Sequence, residues 1–195
     1  PNEAGQVLAN EMSKYVEFTS KVDLEPDAGL FHAEQVNVNN REKVYAIVKD
    51  INDLVKKSGI PVPGKADLEI SHHYGIDKFY EFGITMVTVV NRDYCKKYII
   101  VLPGQNHPEQ YHDHKEETFV IQYGDFEVEL DGELLTYSPG DIITVKPGVR
   151  HAFSTKTGGI IEEISSTHFT NDSYYTDPSI ADNKNRKTFL SHWIL

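Results

Sequence analysis

The chain has 195 residues, of which 39% are hydrophobic and 25% are charged, a composition typical of a folded globular protein rather than a disordered one. Its 30 acidic and 19 basic residues give a net charge of −11, which disfavours nucleic acid and anionic membranes as partners because their phosphates would be repelled. No apolar run approaches the roughly 18 residues that a membrane-spanning helix needs, so cytoplasm is the expected compartment. The single cysteine, Cys95, excludes an internal disulfide and a zinc site built from several cysteines.

One amphipathic helix is predicted in the first third of the chain. Apolar residues between positions 44 and 55 recur three and four residues apart, which is the spacing of a single buried helical face. Asn39 or Asn40 is expected to cap the start of this helix, and Gly59 stands just past its end, before a linker rich in proline and glycine. The chain is therefore divided into three predicted parts: an N-terminal arm with a short strand at 17–24 (residues 1–40), the helix with its linker (41–64), and a strand-rich part with a C-terminal tail (65–195).

The third part reads as a sequence of short strands. Segments rich in β-branched and aromatic residues alternate with turn signals about every 8–12 residues, which favours a sandwich or a barrel. The predicted strands are 84–91, 98–102, 117–123, 126–130, 142–146, 151–155 and 159–166. The tail from about residue 170 is polar and is expected to lie over the surface, with its apolar last residues docked.

The densest group of metal-ligand residue types lies within residues 104–124. Gln110 and His112 are two residues apart, so they point the same way from a strand. Glu117 begins the next predicted strand, and His151 begins a later one. Imidazole, carboxylate and amide donors on different strands suit one divalent first-row metal ion, with Mn expected first and Fe, Co, Ni or Zn as alternatives.

Two motifs of the chain resemble those of the cupin family. The family pattern is Gly-x5-His-x-His-x3–4-Glu-x6-Gly followed by Gly-x5-Pro-x-Gly-x2-His, and the segments that begin at Gly104 and Gly140 keep both spacings. Position 110 is Gln instead of His, which makes a weaker ligand, and Lys146 replaces Pro. The resemblance implies a mainly β fold, the double-stranded β-helix or cupin jelly roll, with the metal inside the barrel. The ligands that it implies are Gln110, His112, Glu117 and His151, with His114 in reserve.

A finer resemblance covers residues 65–125, including the segments 69–78 and 90–97, and it is to a module named D-lyxose ketol-isomerase-like. That module also occurs fused behind sialic-acid-synthase-like enzymes, and residues 28–39 are similar to the start of the antifreeze-like (SAF) domain of those synthases. The chain, which begins at Pro1, is accordingly either the C-terminal part of a longer protein or a stand-alone cupin with an unrelated arm.

Three functions stay open on this resemblance. The first is a metal-dependent aldose–ketose isomerase that acts on a small sugar or sugar phosphate. The second is a non-catalytic sugar-binding module that regulates a synthase-like protein, and the third is a non-haem iron dioxygenase. A homodimer is expected in each case, because the edge strands of such barrels are open to pairing.

The isomerase hypothesis requires a base that moves a proton between two carbons. Glu163 and Glu162 are the leading candidates, and alternation along their strand turns only one of them inward, although the sequence leaves open which one. Glu127 and His73 are further candidate bases. Lys115 completes the predicted catalytic set as a cation that can bind the sugar or its phosphate.

Overall fold

The computed structural model describes residues 38–194, so the strand predicted at 17–24 and the arm that resembles the antifreeze-like domain lie outside the described residues. The helices are α1 (Val38–Ser58), α2 (Phe79–Phe82) and α3 (Pro178–Ala181), with a 3-10 turn at Ile76–Lys78. The strands are β1 (Leu68–Ser71), β2 (Ile84–Asn91), β3 (Tyr94–Val101), β4 (Asn106–Tyr111), β5 (Glu117–Tyr123), β6 (Phe126–Leu130), β7 (Glu133–Tyr137), β8 (Ile142–Val145), β9 (His151–Ser154), β10 (Gly159–Ser166), β11 (Tyr174–Tyr175) and β12 (Lys187–Leu190).

Two antiparallel sheets form the body of the protein. The larger sheet has seven strands in the order β12-β1-β2-β3-β10-β5-β8, and the smaller has five in the order β11-β4-β9-β6-β7. Phe119 and Ile161 of the larger sheet pack with Phe126 and Phe153 of the smaller one, all of them buried, so an apolar core lies between the two sheets. The arrangement confirms the predicted mainly β, double-stranded β-helix fold.

Helix α1 covers one face of the larger sheet. Ile100 and Ile160 pack in a cluster with Ile47 and Ile51 of the helix, whereas their strand neighbours, such as Ile161, face the other sheet. This alternation explains why residues 98–101 of β3 and 159–161 of β10 are uninterrupted apolar runs: both faces of these segments are covered. The predicted amphipathic helix is therefore confirmed.

The ends of α1 differ in how well they match the prediction. The helix already includes Val38, so Asn39 and Asn40 lie inside it and the predicted N-cap is wrong. The helix therefore begins at least one residue earlier than the two asparagines indicate. Gly59 ends the helix as predicted, with a φ of 70° that only glycine adopts without strain, and its N–H bonds to the Lys56 carbonyl.

The C-terminal tail is more structured than its polar sequence predicts. It supplies β11 to the smaller sheet and β12 to the edge of the larger one, where Leu190 pairs with Leu68 of β1. Trp193 is 2% exposed, and its Nε1 donates a 2.9 Å hydrogen bond to the Ala66 carbonyl. The tail is therefore part of the fold and borders the site described below. Among residues 38–194, no helix combines the length and apolar character that crossing a membrane requires.

Candidate functional site

Three buried side chains converge between the two sheets. His112 follows β4, Glu117 opens β5 and His151 opens β9, so each comes from the end of a different strand. His112 Nε2 lies 3.4 Å from Glu117 Oε1, and His151 Nε2 lies 3.3 Å from Glu117 Oε2. One ligand atom from each of the three lies within 4.8 Å of the others. The motif spacing predicts this convergence, and the two sheets bring the three strand ends together.

The two imidazole rings are held with their Nε2 atoms toward the carboxylate. His151 Nδ1 donates to the Val149 carbonyl at 3.1 Å, and His112 Nδ1 donates to the Asp172 carbonyl. With the proton on Nδ1, each Nε2 presents a lone pair to the centre of the group. This tautomer is the one that a histidine ligand uses when its other nitrogen bonds to the backbone.

The donor set fits a divalent cation. His112 Nε2 and Glu117 Oε2 are buried and have no hydrogen-bond partner, a state that costs free energy unless a ligand satisfies it. Two imidazole nitrogens and a carboxylate oxygen are ligands that Mn, Fe, Co, Ni and Zn all accept. The site is therefore suited to one such ion on the chemistry of its donors.

Gln110 and His114, the two candidates for the fourth ligand, lie in different places. Gln110 is buried on β4, with its amide nitrogen 3.3 Å from His151 Nε2. His114 is exposed in the turn that follows His112, and it is not among the residues that converge on Glu117. The structure therefore places the Gln110 side chain beside the candidate ligands and leaves His114 away from them.

A lysine links the candidate ligands to a second buried carboxylate. Lys115 Nζ contacts Glu117 Oε1 and lies 3.4 Å from Glu163 Oε1. Ser165 Oγ donates to the same Glu163 oxygen at 2.8 Å, and Lys97 Nζ lies 3.9 Å from it. All five side chains are buried, so these charges interact with little screening by water.

The lysines keep both carboxylates ionised. Burial by itself would raise the pKa of Glu163, but Lys97 and Lys115 outweigh it and hold that pKa below the usual range. The pKa of Glu117 is held well below its usual range in the same way, chiefly by Lys115 against the effect of burial. The pKa of Lys115 is raised, since the two carboxylates outweigh its own burial.

Glu162 lies on the opposite face of β10 from Glu163. Its carboxylate bonds to Lys96 Nζ at 2.6 Å and accepts from Gln122 Nε2 at 2.7 Å. Ile160 and Ile161 are both buried, on opposite faces of β10, so the sequence of this strand does not mark which face is inward and leaves the parity open. Of the two predicted proton carriers, Glu163 is thus the one that the structure brings to the site.

The remaining candidate bases do not join the candidate ligands. Glu127 is paired with Lys156 at 2.8 Å, and both of these side chains are exposed. His73 is buried, but both of its ring nitrogens are engaged, Nδ1 with the Phe82 carbonyl at 2.6 Å and Nε2 with the Tyr175 hydroxyl at 2.9 Å. Burial lowers the pKa of His73 to about 4, so its ring is neutral at physiological pH.

Sequence reasoning missed several residues around the site. A single cavity is lined by Gln110, Lys115, Glu117 and Glu163 together with Tyr175 and Arg186 of the tail. His107 of β4 is also buried, at 3% exposed, and stacks on Phe153 at 4.6 Å between ring centroids. No local pattern marks these tail residues, because distant strand pairing brings them to the site: Tyr175 lies on β11, which pairs with β4, and Arg186 precedes β12, which pairs with β1.

Comparison with known proteins finds a family model that spans this site. Residues 97–162 match the model of the cupin domain, a range that includes Gln110, His112, Glu117 and His151. This segment therefore matches a cupin domain, as the two motifs predict.

Curated relatives refine this assignment. The chain is 26% identical over 171 residues to the D-lyxose/D-mannose isomerase of Thermosediminibacter oceani, a match that covers 72% of this chain and 94% of the relative. It is 25% identical over 145 residues to the D-lyxose ketol-isomerase of a Thermofilum species, covering 60% of this chain and 80% of that protein. In sequence the chain thus resembles cupin proteins of the D-lyxose ketol-isomerase type.

Solved structures support the fold. The structure of L-ribose isomerase from Cellulomonas parahominis with L-psicose aligns with a TM-score of 0.52 and 15% identity, covering 73% of this chain and 94% of that one. At this identity the likeness concerns the fold, and it extends well beyond the cupin motifs.

Proposed function

We propose that the protein is a metal-dependent aldose–ketose isomerase of a small sugar, with D-lyxose and D-mannose as the first substrates to test. The observation that carries the proposal is that Glu163, an ionised carboxylate, shares one cavity with Glu117 and Gln110, close to a group fit to hold a divalent metal. The relatives named D-lyxose isomerases support the choice of sugar.

Each residue has a task in this proposal. His112, Glu117 and His151 hold the metal, and Gln110 completes its ligands. The ion, when bound, supplies positive charge for two neighbouring sugar oxygens. Glu163 takes the proton from C2 of the aldose and returns it to C1, while the proton of the C2 hydroxyl passes to O1. Lys115 stabilises the negative charge that builds on the sugar oxygens between these steps.

The buried charges favour the isomerase over the dioxygenase. Two imidazoles and one carboxylate also suit a non-haem iron centre. An oxygenase, however, has no need of a second buried carboxylate held ionised by Lys97 and Lys115, whereas a proton transfer between carbons requires such a group. No comparable observation favours the regulatory sugar-binding module, which stays an outcome of the test.

The test is incubation of the full chain, loaded with Mn or Co, with pentoses, hexoses and their phosphates in heavy water, with C2 followed by NMR. Deuterium at C2 or a ketose product supports the isomerase. Sugar binding without exchange at C2 contradicts it and supports the regulatory module. Oxygen uptake that requires Fe supports the dioxygenase.

Self-association is also proposed, as a homodimer. Strands β7 and β8 are edge strands of their sheets, and they expose Leu134, Leu135 and Ile142. Pairing or packing at these edges would cover apolar surface in a chain whose net charge otherwise disfavours association. Light scattering tests this: a mass near twice 22.1 kDa is expected, and a mass of 22.1 kDa would contradict it.

A further inference from the structure

Asp172, a tail residue with no role assigned by the motifs, contacts the turn between two candidate site residues. Its carboxylate is 3% exposed and lies against residues 113–115. Oδ1 accepts the N–H of Asp113 at 3.0 Å, Oδ2 accepts the N–H of Lys115 at 3.0 Å, and both oxygens lie 3.3 Å from the N–H of His114. Three consecutive backbone donors therefore converge on one buried anion.

The same residue contacts a candidate metal ligand directly. The Asp172 backbone carbonyl accepts the Nδ1 proton of His112, the residue just before the turn. On its other side, the His112 carbonyl accepts the N–H of Gly148 at 2.7 Å. The His112 ring and backbone are thus both fixed, the ring by Asp172 and the backbone by the loop that leads to His151.

A buried carboxylate with this environment has a specific structural consequence. Among the described residues, no lysine, arginine or histidine forms an ion pair with Asp172, so backbone N–H dipoles alone stabilise its charge. A concave backbone that aims three N–H groups at one point is incompatible with a regular strand, in which successive N–H groups alternate in direction. This explains why β4 ends at Tyr111 and β5 starts only at Glu117.

We propose that Asp172 is the positioning residue of the metal site: it fixes the tautomer and direction of His112 and the starting point of the Lys115 side chain. The proposal rests on the proposed function, since it assumes that His112 binds the metal. It also assigns a role to the tail, because a segment sixty residues away in sequence sets the geometry of the first motif.

The test is the affinity of the full chain for Co or Mn, measured by calorimetric titration in the absence of sugar. In Asp172→Asn, one acceptor oxygen is replaced by an NH2 group that faces backbone N–H donors. The variant keeps the backbone carbonyl behind His112 but loosens the carboxylate that holds this carbonyl against the turn. The expected loss of metal affinity is therefore roughly 10- to 100-fold, as for other disturbed partners behind a ligand. Long-range proton–nitrogen NMR of the metal-free variant should show His112 shifted from the single Nδ1-protonated form to a mixture of tautomers.

Asp177→Asn is the matched control. Asp177 is also a tail aspartate that accepts hydrogen bonds, from Ser179 N–H at 2.9 Å and from the Tyr74 hydroxyl at 2.6 Å, but it touches none of the candidate ligands. Its metal affinity and the His112 signals should equal those of the wild type. A second variant, Asp172→Glu, keeps the charge and displaces the turn by one methylene, so it decides the question if Asp172→Asn does not fold.

The outcomes separate this proposal from the proposed function. Wild-type affinity in both Asp172 variants, with unchanged His112 signals, would overturn the positioning role. Weakened metal binding in those variants of a protein that never turns over a sugar would support the positioning role and contradict only the isomerase. A wild-type chain that binds neither Co nor Mn would overturn both.

Discussion

Lys115 and Glu163 form a buried ion pair inside the barrel, with Nζ 3.4 Å from Oε1. The two residues come from different parts of the chain, one from the turn before β5 and the other from β10, which is the hydrogen-bonded neighbour of β5. Because Lys115 also contacts Glu117, the pair joins the candidate proton carrier to the candidate metal ligands. The first two predictions follow from this link.

Glu163→Gln should abolish isomerisation without loss of metal. The amide cannot accept a proton from carbon, so the rate should fall by about 100-fold or more, the usual contribution of a general base. Metal content should stay unchanged, because Glu163 is not one of the converging ligands. Glu162→Gln is the control: it lies one residue away on the same strand, and it faces Lys96 instead of the cavity. Equal rates in the two variants would contradict the assignment.

Lys115→Met should destabilise the metal-free protein. It leaves Glu117 and Glu163 buried with less compensating charge, and breaking a buried pair in this way typically costs about 3 kcal/mol of the free energy of unfolding. The loss should shrink when Mn is present, since the bound cation compensates Glu117. Urea unfolding with and without Mn measures both effects.

The control for that measurement is Lys96→Met, which breaks the partly exposed pair with Glu162. Surface pairs of this kind contribute less than about 1 kcal/mol, and the loss should be insensitive to Mn. If Lys115→Met and Lys96→Met behaved alike, the charge coupling proposed for the cavity would be wrong.

Acid should destabilise the fold in part through His73. Its pKa is about 4 in the folded protein against an ordinary value of 6.5, so only the unfolded chain binds this proton between those values. The stability that it contributes is therefore complete above pH 6.5 and is lost as the pH falls toward 4. Between pH 7 and pH 5 the loss amounts to about 2 kcal/mol.

A His73→Gln variant should accordingly show a smaller drop in unfolding free energy between pH 7 and pH 5 than the wild type. His114→Gln, at an exposed histidine, should keep the wild-type slope. An unchanged slope in the His73 variant would show that this ring is not the group responsible. Chemical denaturation at the two pH values is sufficient to decide.

Local periodicity and motif spacing predict a large part of this protein. The i, i+3, i+4 pattern predicts α1, and β-branched segments between turn signals predict most of the barrel strands. Spacing in two motifs predicts that His112, Glu117 and His151 meet. The strand pairing of the barrel is fixed, so residues at given motif positions lie next to one another in space. That these residues bind a metal stays a prediction.

Local patterns do not predict features that depend on contacts between segments far apart in the sequence. The choice between Glu162 and Glu163 depends on which face of β10 meets the other sheet, and the sequence does not show this because both faces carry buried isoleucines. Strands β1 and β12 have four residues each, and they form because β1 pairs with β2 and β12 pairs with β1, so neither has a sequence signal of its own. Asp172 reaches the site because the tail folds back, and its local sequence is that of a polar loop.

The central claim is that a metal held by His112, Glu117 and His151 supports sugar isomerisation. Its most direct test is a titration of the metal-free chain with Mn while ketose formation from D-lyxose is followed, in the wild type and in a His112→Ala/His151→Ala variant. The account predicts that wild-type activity rises to a plateau at one Mn per chain and that the double variant, folded by circular dichroism, shows neither binding nor activity. Full activity before Mn is added to chelator-treated protein, or in the double variant, would contradict it.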